Sequence, residues 1–140
     1  MLERRKARRM ALEVLYQREI TGSSLREIIK NRALAGEKPL SEFSLRIIEG
    51  VAKHQKHMDE MIEGYADNWA LERMPPVDRN IIRMGIYEMI YESDIPFSVS
   101  INEAVELAKA YGTEDSSKFV NGILGRIALD LQKSCSGSES

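Results

Sequence analysis

The feature that most constrains the fold is the run VDRNIIRMGIYEMIYE, which directly follows two consecutive prolines. Two prolines in a row end a preceding helix and allow a new one to begin on their C-terminal side. The run carries apolar residues on more than one helical face: Ile81, Ile82, Met84, Ile86, Met89 and Ile90. A helix with this pattern must be contacted from several directions. We therefore predict a central, deeply buried helix over 77–92.

The rest of the chain supplies helices to surround such an element. Apolar residues recur at helical spacing in five further segments, 2–20, 24–35, 41–69, 101–112 and 116–132. No alternation of period two persists, and Pro and Gly fall between the helical segments. We expect the long segment 41–69 to divide into two helices near Lys56. The sequence thus predicts an all-α fold of about seven helices in two small antiparallel subbundles.

Local signals indicate where several helices end and begin. Gly22 ends the first helix, and Ser23 or Ser24 can cap the second. Ser100 and Glu103 have the spacing of a capping box, which would start a helix at residue 101.

The first helix has two contrasting faces. The face predicted to meet the core carries Ala7, Ala11, Val14 and Leu15. The opposite stripe carries Arg5, Arg9, Leu12 and Tyr16. The pattern leaves open whether Leu12 and Tyr16 contact another helix of the same domain or a partner protein.

Length and composition indicate one globular domain. The chain has 140 residues, 43% of them hydrophobic and 30% charged, enough to bury a core without disulfides. We place the domain at 1–132 and expect 133–140 to be a disordered Ser/Gly-rich tail. No apolar run is long enough to span a bilayer, and the N-terminus lacks the pattern of a signal peptide, so we expect a cytoplasmic protein with no membrane contact.

Candidates for metal binding and catalysis are weak. His54 and His57 lie three residues apart beside Asp59 and Glu60, but two imidazoles in a lysine-rich stretch are typical of a solvated surface. The single cysteine, Cys135, cannot form a disulfide within the chain.

The carboxylate pairs that could act as acid and base have structural explanations. Glu103 is explained by capping, with Glu106 one turn further, and Glu114 and Asp115 by the field at a helix N-terminus. Phosphate-binding, dinucleotide and nucleophile-elbow motifs are absent. We predict no enzymatic activity, no cofactor and no metal.

The positive charge is concentrated at one end. Although the net charge is −2, five of the first nine residues are basic: Arg4, Arg5, Lys6, Arg8 and Arg9. A helix start rich in cations can follow the phosphates of a nucleic acid. Near the last helix, Phe119 beside Lys118 could offer a ring for base stacking. The alternatives are that the basic end only solubilises the chain and that Phe119 packs at the edge of the core.

Several of these stretches together resemble a known family. The run VDRNIIRMGIYEM, the run IPFSVSINEAVELAKAYGTEDSSKFVNGIL, the basic start and the LYQ at 15–17 are similar to the NusB family of bacterial transcription antitermination factors. The resemblance extends from about Arg4 to Leu131. It implies an all-helical fold of two subbundles without catalytic activity.

The resemblance also implies partners. Members of the family bind the boxA element of ribosomal RNA leader transcripts together with NusE, the small-subunit ribosomal protein. They join the transcribing RNA polymerase complex with other Nus factors and suppress premature Rho-dependent termination. The acidic remainder of the chain suits a basic ribosomal protein as partner.

The resemblance assigns residues to these two roles. The RNA contacts would be Arg4, Arg5, Lys6, Arg8, Arg9, Asp115, Lys118 and Phe119. The contacts with NusE would be Tyr16, Glu72 and Asp78. The chain departs from the family at Gly125, where an acidic residue is common; we expect no effect on function.

Two other functions are compatible with the same residues. A NusB-like domain also precedes the catalytic domain of certain ribosomal RNA cytosine methyltransferases, although 140 residues leave no room here for a cofactor-binding domain. Alternatively the basic end binds an acidic protein, and the chain is purely a protein–protein adaptor. The sequence leaves open whether the free chain is a monomer or a homodimer.

Overall fold

The computed structural model describes residues 2–65 and 71–139, and every described element is helical. The α-helices are α1 (Leu2–Thr21), α2 (Leu25–Leu34), α3 (Glu42–Tyr65), α4 (Pro76–Tyr91), α5 (Phe97–Tyr111) and α6 (Glu114–Glu139). A short 3₁₀ helix spans Leu71–Arg73. The predicted all-α class is confirmed, and the six α-helices with the 3₁₀ turn are close to the expected number.

Helix α4 is the central element, as its sequence predicts. It packs against α1 and α3 on one side and against α5 and α6 on the other. Its residues from Asn80 to Met89 are all buried. The helix begins with Pro76 in its first turn, where the missing N–H of proline costs no hydrogen bond. Helix α4 therefore joins two subbundles: it packs with α5 and α6 in one and contacts α1 and α3 of the other.

Helix α3 is continuous through Lys56, so the predicted break there is wrong. The buried residues Ile47, Val51, Met58 and Ile62 keep one helical phase across the polar stretch around Lys56. Because the same stripe is buried before and after that stretch, packing against α1 and α4 stabilises one continuous helix.

Helix α5 begins earlier than the sequence indicates. Pro96 is its N-cap residue, and Ser100 lies inside the helix, so the predicted capping box of Ser100 and Glu103 is wrong. The Ser100 hydroxyl donates instead to Glu88 Oε1 at 3.2 Å. Between α1 and α2, Gly22 adopts a φ of 72° and Ser24 caps α2, as expected.

The first helix is buried over a wider arc than its pattern suggests. Ala7, Ala11, Val14 and Leu15 lie in the core as predicted, and Leu12, predicted on the opposite stripe, is also buried. Leu12 is covered because α1 packs against three helices, α2, α3 and α4.

Helix α6 continues to Glu139, beyond the predicted end of the domain at residue 132. A helical backbone at a chain end does not by itself show packing against the domain. The assignment of 133–140 as a disordered tail stays a prediction.

Candidate nucleic-acid interface

The basic end of α1 lies against α5 and the α4–α5 connection, where acidic residues meet it. Arg4 pairs with Asp94 at 3.1 Å in an exposed contact. Arg5 donates from Nε and Nη2 to the two carboxylate oxygens of Glu103, at 3.3 and 2.9 Å. These hydrogen bonds are the main cause that raises the pKa of the Arg5 guanidinium above its usual value. More than half of the Arg5 side chain, 54%, remains exposed.

Arg8 occupies a different environment from its neighbours. Its guanidinium donates to both oxygens of Glu88 at 2.9 and 2.8 Å and to Glu103 at 3.1 Å. The Arg8 side chain is only 5% exposed and that of Glu88 3%. The sequence groups Arg8 with the RNA contacts, and the structure places its guanidinium almost wholly within these ion pairs. Arg8 instead ties α1 to α4 and α5.

Lys6 and Arg9 provide the least encumbered positive charge. Both are exposed, and neither takes part in the ion pairs of the described residues. Arg9 borders a shallow depression of about 220 Å³ together with Arg5 and Glu106. The five cations thus divide into one buried group, two groups paired with carboxylates at the surface, and two exposed groups.

A buried aromatic ring of α3 lies directly beneath this surface. Phe43 of α3 lies beneath the guanidinium groups of Arg4, at 4.6 Å from the ring centroid, and Arg46, at 5.5 Å. Such cation–π contacts fix the planes of the guanidinium groups. No spacing in the sequence could have found this arrangement, because it joins two separate helices.

The second group of predicted RNA contacts lies at the start of α6. Asp115 and Lys118 are exposed, and Phe119 is partly buried against the core. The first turn of this helix carries Glu114 and Asp115, as expected for acidic residues near the positive end of a helix. Helix α5 packs on α6 and carries Glu103, so it connects this group to the basic end of α1.

The predicted partner contacts separate into exposed and buried positions. Tyr16 is 39% exposed, and Ile20, one turn further along α1, is 56% exposed. Glu72 is exposed in the 3₁₀ helix. Tyr16 and Ile20 form an apolar stripe on α1 that the described helices leave open to solvent.

Asp78, the third predicted partner contact, is buried in the free chain. Its Oδ2 accepts a hydrogen bond from Ser116 at 2.9 Å, which joins the N-terminal turns of α4 and α6. Its Oδ1 is buried with no hydrogen-bond partner among the described residues. Burial raises the pKa of the Asp78 carboxyl, and the Ser116 hydrogen bond opposes this shift in part.

The histidines have no metal-site geometry around them. In the described part of the chain no group of three or more His, Cys, Asp or Glu side chains is placed to hold a metal ion. The His54 ring stacks on Tyr91, with centroids 4.5 Å apart.

None of the described helices is long and apolar enough to cross a bilayer.

The fold and this surface define a class of protein: a helical bundle with an arginine-bearing edge and a separate exposed apolar stripe. The NusB family model matches residues 5–129. The transcription antitermination protein NusB of Kineococcus radiotolerans is 43% identical over 128 residues, covering 91% of this chain and 94% of that one. The corresponding protein of Bacillus velezensis is 44% identical over 131 residues, covering 94% and 99%. The chain belongs to the NusB family.

Solved structures of the family have the same fold. NusB of T. maritima superposes with a TM-score of 0.79 at 39% identity, covering 89% of each chain. A chain from a crystal structure of antitermination factors NusB and NusE in complex with dsRNA gives a TM-score of 0.80 at 27% identity, covering 93% of this chain and 98% of that one.

Proposed function

We propose that this chain is a bacterial transcription antitermination factor. It binds the boxA element of ribosomal RNA leader transcripts together with NusE, joins the transcribing RNA polymerase complex with other Nus factors, and suppresses premature Rho-dependent termination. The names of the curated relatives support the activity. The solved complex of NusB, NusE and dsRNA supports the two partners. The chain acts in the cytoplasm by binding, with no catalytic step.

The observation that carries the RNA-binding role is the surface of half-exposed and exposed cations on the first turns of α1. Arg4, Arg5, Lys6 and Arg9 contact phosphates, and each neutralised phosphate releases counterions. Arg8 acts from beneath, because its buried ion pairs hold this end of α1 in place. At the start of α6, Lys118 and Phe119 contact phosphate and base, with Asp115 beside them.

The partner-binding role belongs to a different surface. Tyr16 is a large, exposed ring with a polar tip, the kind of side chain that often anchors a protein interface. Glu72 supplies negative charge for a basic ribosomal protein. Asp78 contributes indirectly, because it fixes the start of α4 against α6.

A competition titration tests this function. Fluorescent boxA RNA and a scrambled RNA of the same composition are titrated with the chain alone, with NusE alone and with both. We expect modest binding by the chain alone and a clear preference for boxA when both proteins are present. Equal binding of the two RNAs under every condition would refute sequence-specific recognition.

The salt dependence of binding tests the basic surface separately. Arg5→Ala combined with Arg9→Ala should weaken RNA binding and reduce the slope of log K against log salt by about 0.7 for each lost contact with single-stranded RNA. Arg26→Ala serves as the control, because it removes one positive charge at an exposed position on α2, outside the basic end of α1. A slope unchanged in the double variant would remove these arginines from the site.

A further inference from the structure

The acidic residue Glu103 lies within the basic surface, where its charge opposes the approach of a polyanion. Its side chain is 12% exposed. One of its oxygens accepts hydrogen bonds from both Arg5 and Arg8, and the other accepts from Arg5. Its pairing with the buried Arg8 has a structural role, and its contact with the exposed Arg5 raises the question of what it does for RNA binding.

The Arg5–Glu103 pair leaves one edge of the Arg5 guanidinium open. Arg5 uses one side of its guanidinium, Nε and Nη2, to hold Glu103. A guanidinium has five N–H groups, so the two hydrogens on Nη1 and one on Nη2 remain available for a second bidentate contact. With 54% of its side chain exposed, Arg5 can offer this open edge to solvent.

Glu103 is itself held in place by a buried network. Arg8, which also donates to Glu103, is locked by two hydrogen bonds to Glu88. Glu88 in turn accepts from Ser100 on α5, one turn before Glu103. The carboxylate of Glu103 therefore has little freedom to move. Because it is fixed, it restricts the conformations of the Arg5 guanidinium that it binds.

We infer that Glu103 is a positioning residue for RNA binding: it fixes the Arg5 guanidinium in advance with the open edge turned to the phosphate. This inference rests on the proposed RNA-binding function. An unrestrained arginine would lose rotamer freedom when RNA binds, and a preorganised one has already lost it. The gain in affinity exceeds the repulsion from one carboxylate, which lies largely shielded behind the cations it binds.

The test compares two substitutions that change charge equally. Glu103→Gln and Glu106→Gln each remove one negative charge, one turn apart on α5, and both glutamates border the same depression as Arg5 and Arg9. Glu106 is 46% exposed, and its ion pair among the described residues is with Lys109, at 3.6 Å. We expect Glu106→Gln to bind boxA RNA as tightly as the native chain or slightly more tightly. Glu103→Gln should bind boxA RNA about two- to tenfold more weakly. This factor corresponds to the conformational entropy lost when one long side chain is immobilised on binding.

A double-mutant cycle separates positioning from a general structural role. In an Arg5→Ala background, Glu103→Gln should cause no further loss, since the side chain that it orients is gone. Circular dichroism and urea unfolding establish that each variant is folded, and Glu103→Asp provides a second, charge-conserving variant.

Two outcomes would overturn the inference. Tighter binding by Glu103→Gln, equal to that of Glu106→Gln, would mean that the carboxylate masks Arg5. An equal loss in the native and Arg5→Ala backgrounds would mean that Glu103 acts only through packing. Both outcomes differ from a failure of the proposed function. That function would fail if the native chain with NusE showed no preference for boxA over scrambled RNA.

Discussion

At the scale of single residues, adjacent arginines on one helix have different roles because they meet different partners. Arg8 and Arg9 are neighbours in sequence, yet the first is buried between Glu88 and Glu103 and the second is exposed. The successive side chains of a helix point about 100° apart, so one can enter the core as the next leaves it. A charged cluster in a sequence is therefore not a uniform surface.

The contrast between these two arginines gives the first prediction. Arg8→Ala leaves the Glu88 carboxylate buried without its guanidinium partner and should lower the free energy of unfolding by about 3 kcal/mol or more. Arg9→Ala should change it by less than about 0.5 kcal/mol. Urea unfolding followed by circular dichroism measures both. Similar values for the two variants would mean that the Arg8–Glu88 pair is not structurally important.

At the scale of elements, α1 serves the core and two outer surfaces at once. Its first turns carry the cations, its middle carries the exposed Tyr16, and Leu12, one turn before Tyr16, is in the core. The two side chains are four residues apart and look equivalent in the sequence. Only the position of α2, α3 and α4 around α1 distinguishes them.

Substitutions at these two positions should have opposite signatures. Tyr16→Ala should weaken binding of NusE by about tenfold or more and leave the melting temperature nearly unchanged, since an exposed anchor is lost. Leu12→Ala should lower the free energy of unfolding by about 2 to 5 kcal/mol, because it opens a cavity in the core. Calorimetric titration and thermal melts measure the two effects. A large loss of stability in Tyr16→Ala would place this ring in the core.

The contact between α3 and α4 depends on a glycine. A Cβ atom at Gly50 would fall on the ring of Tyr87, whereas a Cβ at Gly125 of α6 has no atom within 4 Å. Gly50→Ala should therefore destabilise the protein by about 1 to 3 kcal/mol through overpacking. Gly125→Ala should stabilise it by up to about 1 kcal/mol through helix propensity. Chemical unfolding of both variants tests this, and stabilisation by Gly50→Ala would show that the helices can separate at no cost.

At the scale of the whole molecule, ion pairs link the two subbundles, and one of them lies at the edge of the core. Arg46 of α3 donates from Nε and Nη2 to Glu92, each at 3.0 Å, at the C-terminal end of α4. Tyr87 also donates to Glu92, at 2.8 Å. The hydrogen bonds from Arg46 are the main cause that lowers the pKa of the Glu92 carboxyl, and burial opposes them.

This lowered pKa predicts how stability depends on pH. A carboxyl whose pKa is lower in the folded than in the unfolded state adds stability above its unfolded pKa, and that stability is lost as the pH falls through the folded pKa. Glu92→Gln should therefore be less stable than the native chain at neutral pH. The difference between their free energies of unfolding should decrease below about pH 4.5. Urea unfolding at a series of pH values measures this difference. Glu49→Gln, at an exposed position on α3, is the control. If the difference in free energy between Glu92→Gln and the native chain did not depend on pH, the ion pair of Glu92 with Arg46 would not contribute to stability.

The sequence by itself determined the helical class, the central place of α4, the cap at Ser24 and the core face of α1. These features depend on residues close together in the chain, where the period of apolar side chains and the chemistry of helix ends act directly. The family resemblance rested on equally local runs, and the match over residues 5–129 confirmed it.

Only the tertiary structure decided which charged residues face solvent. The carboxylates that bury Arg8 lie 80 and 95 positions away in sequence, and the hydroxyl that holds Asp78 lies 38 positions away. The same long-range pairing draws Glu103 away from a cap and into the basic surface. Periodicity assigns a side chain to a helical face, but whether that face meets water or a carboxylate depends on packing between helices that the local sequence does not encode.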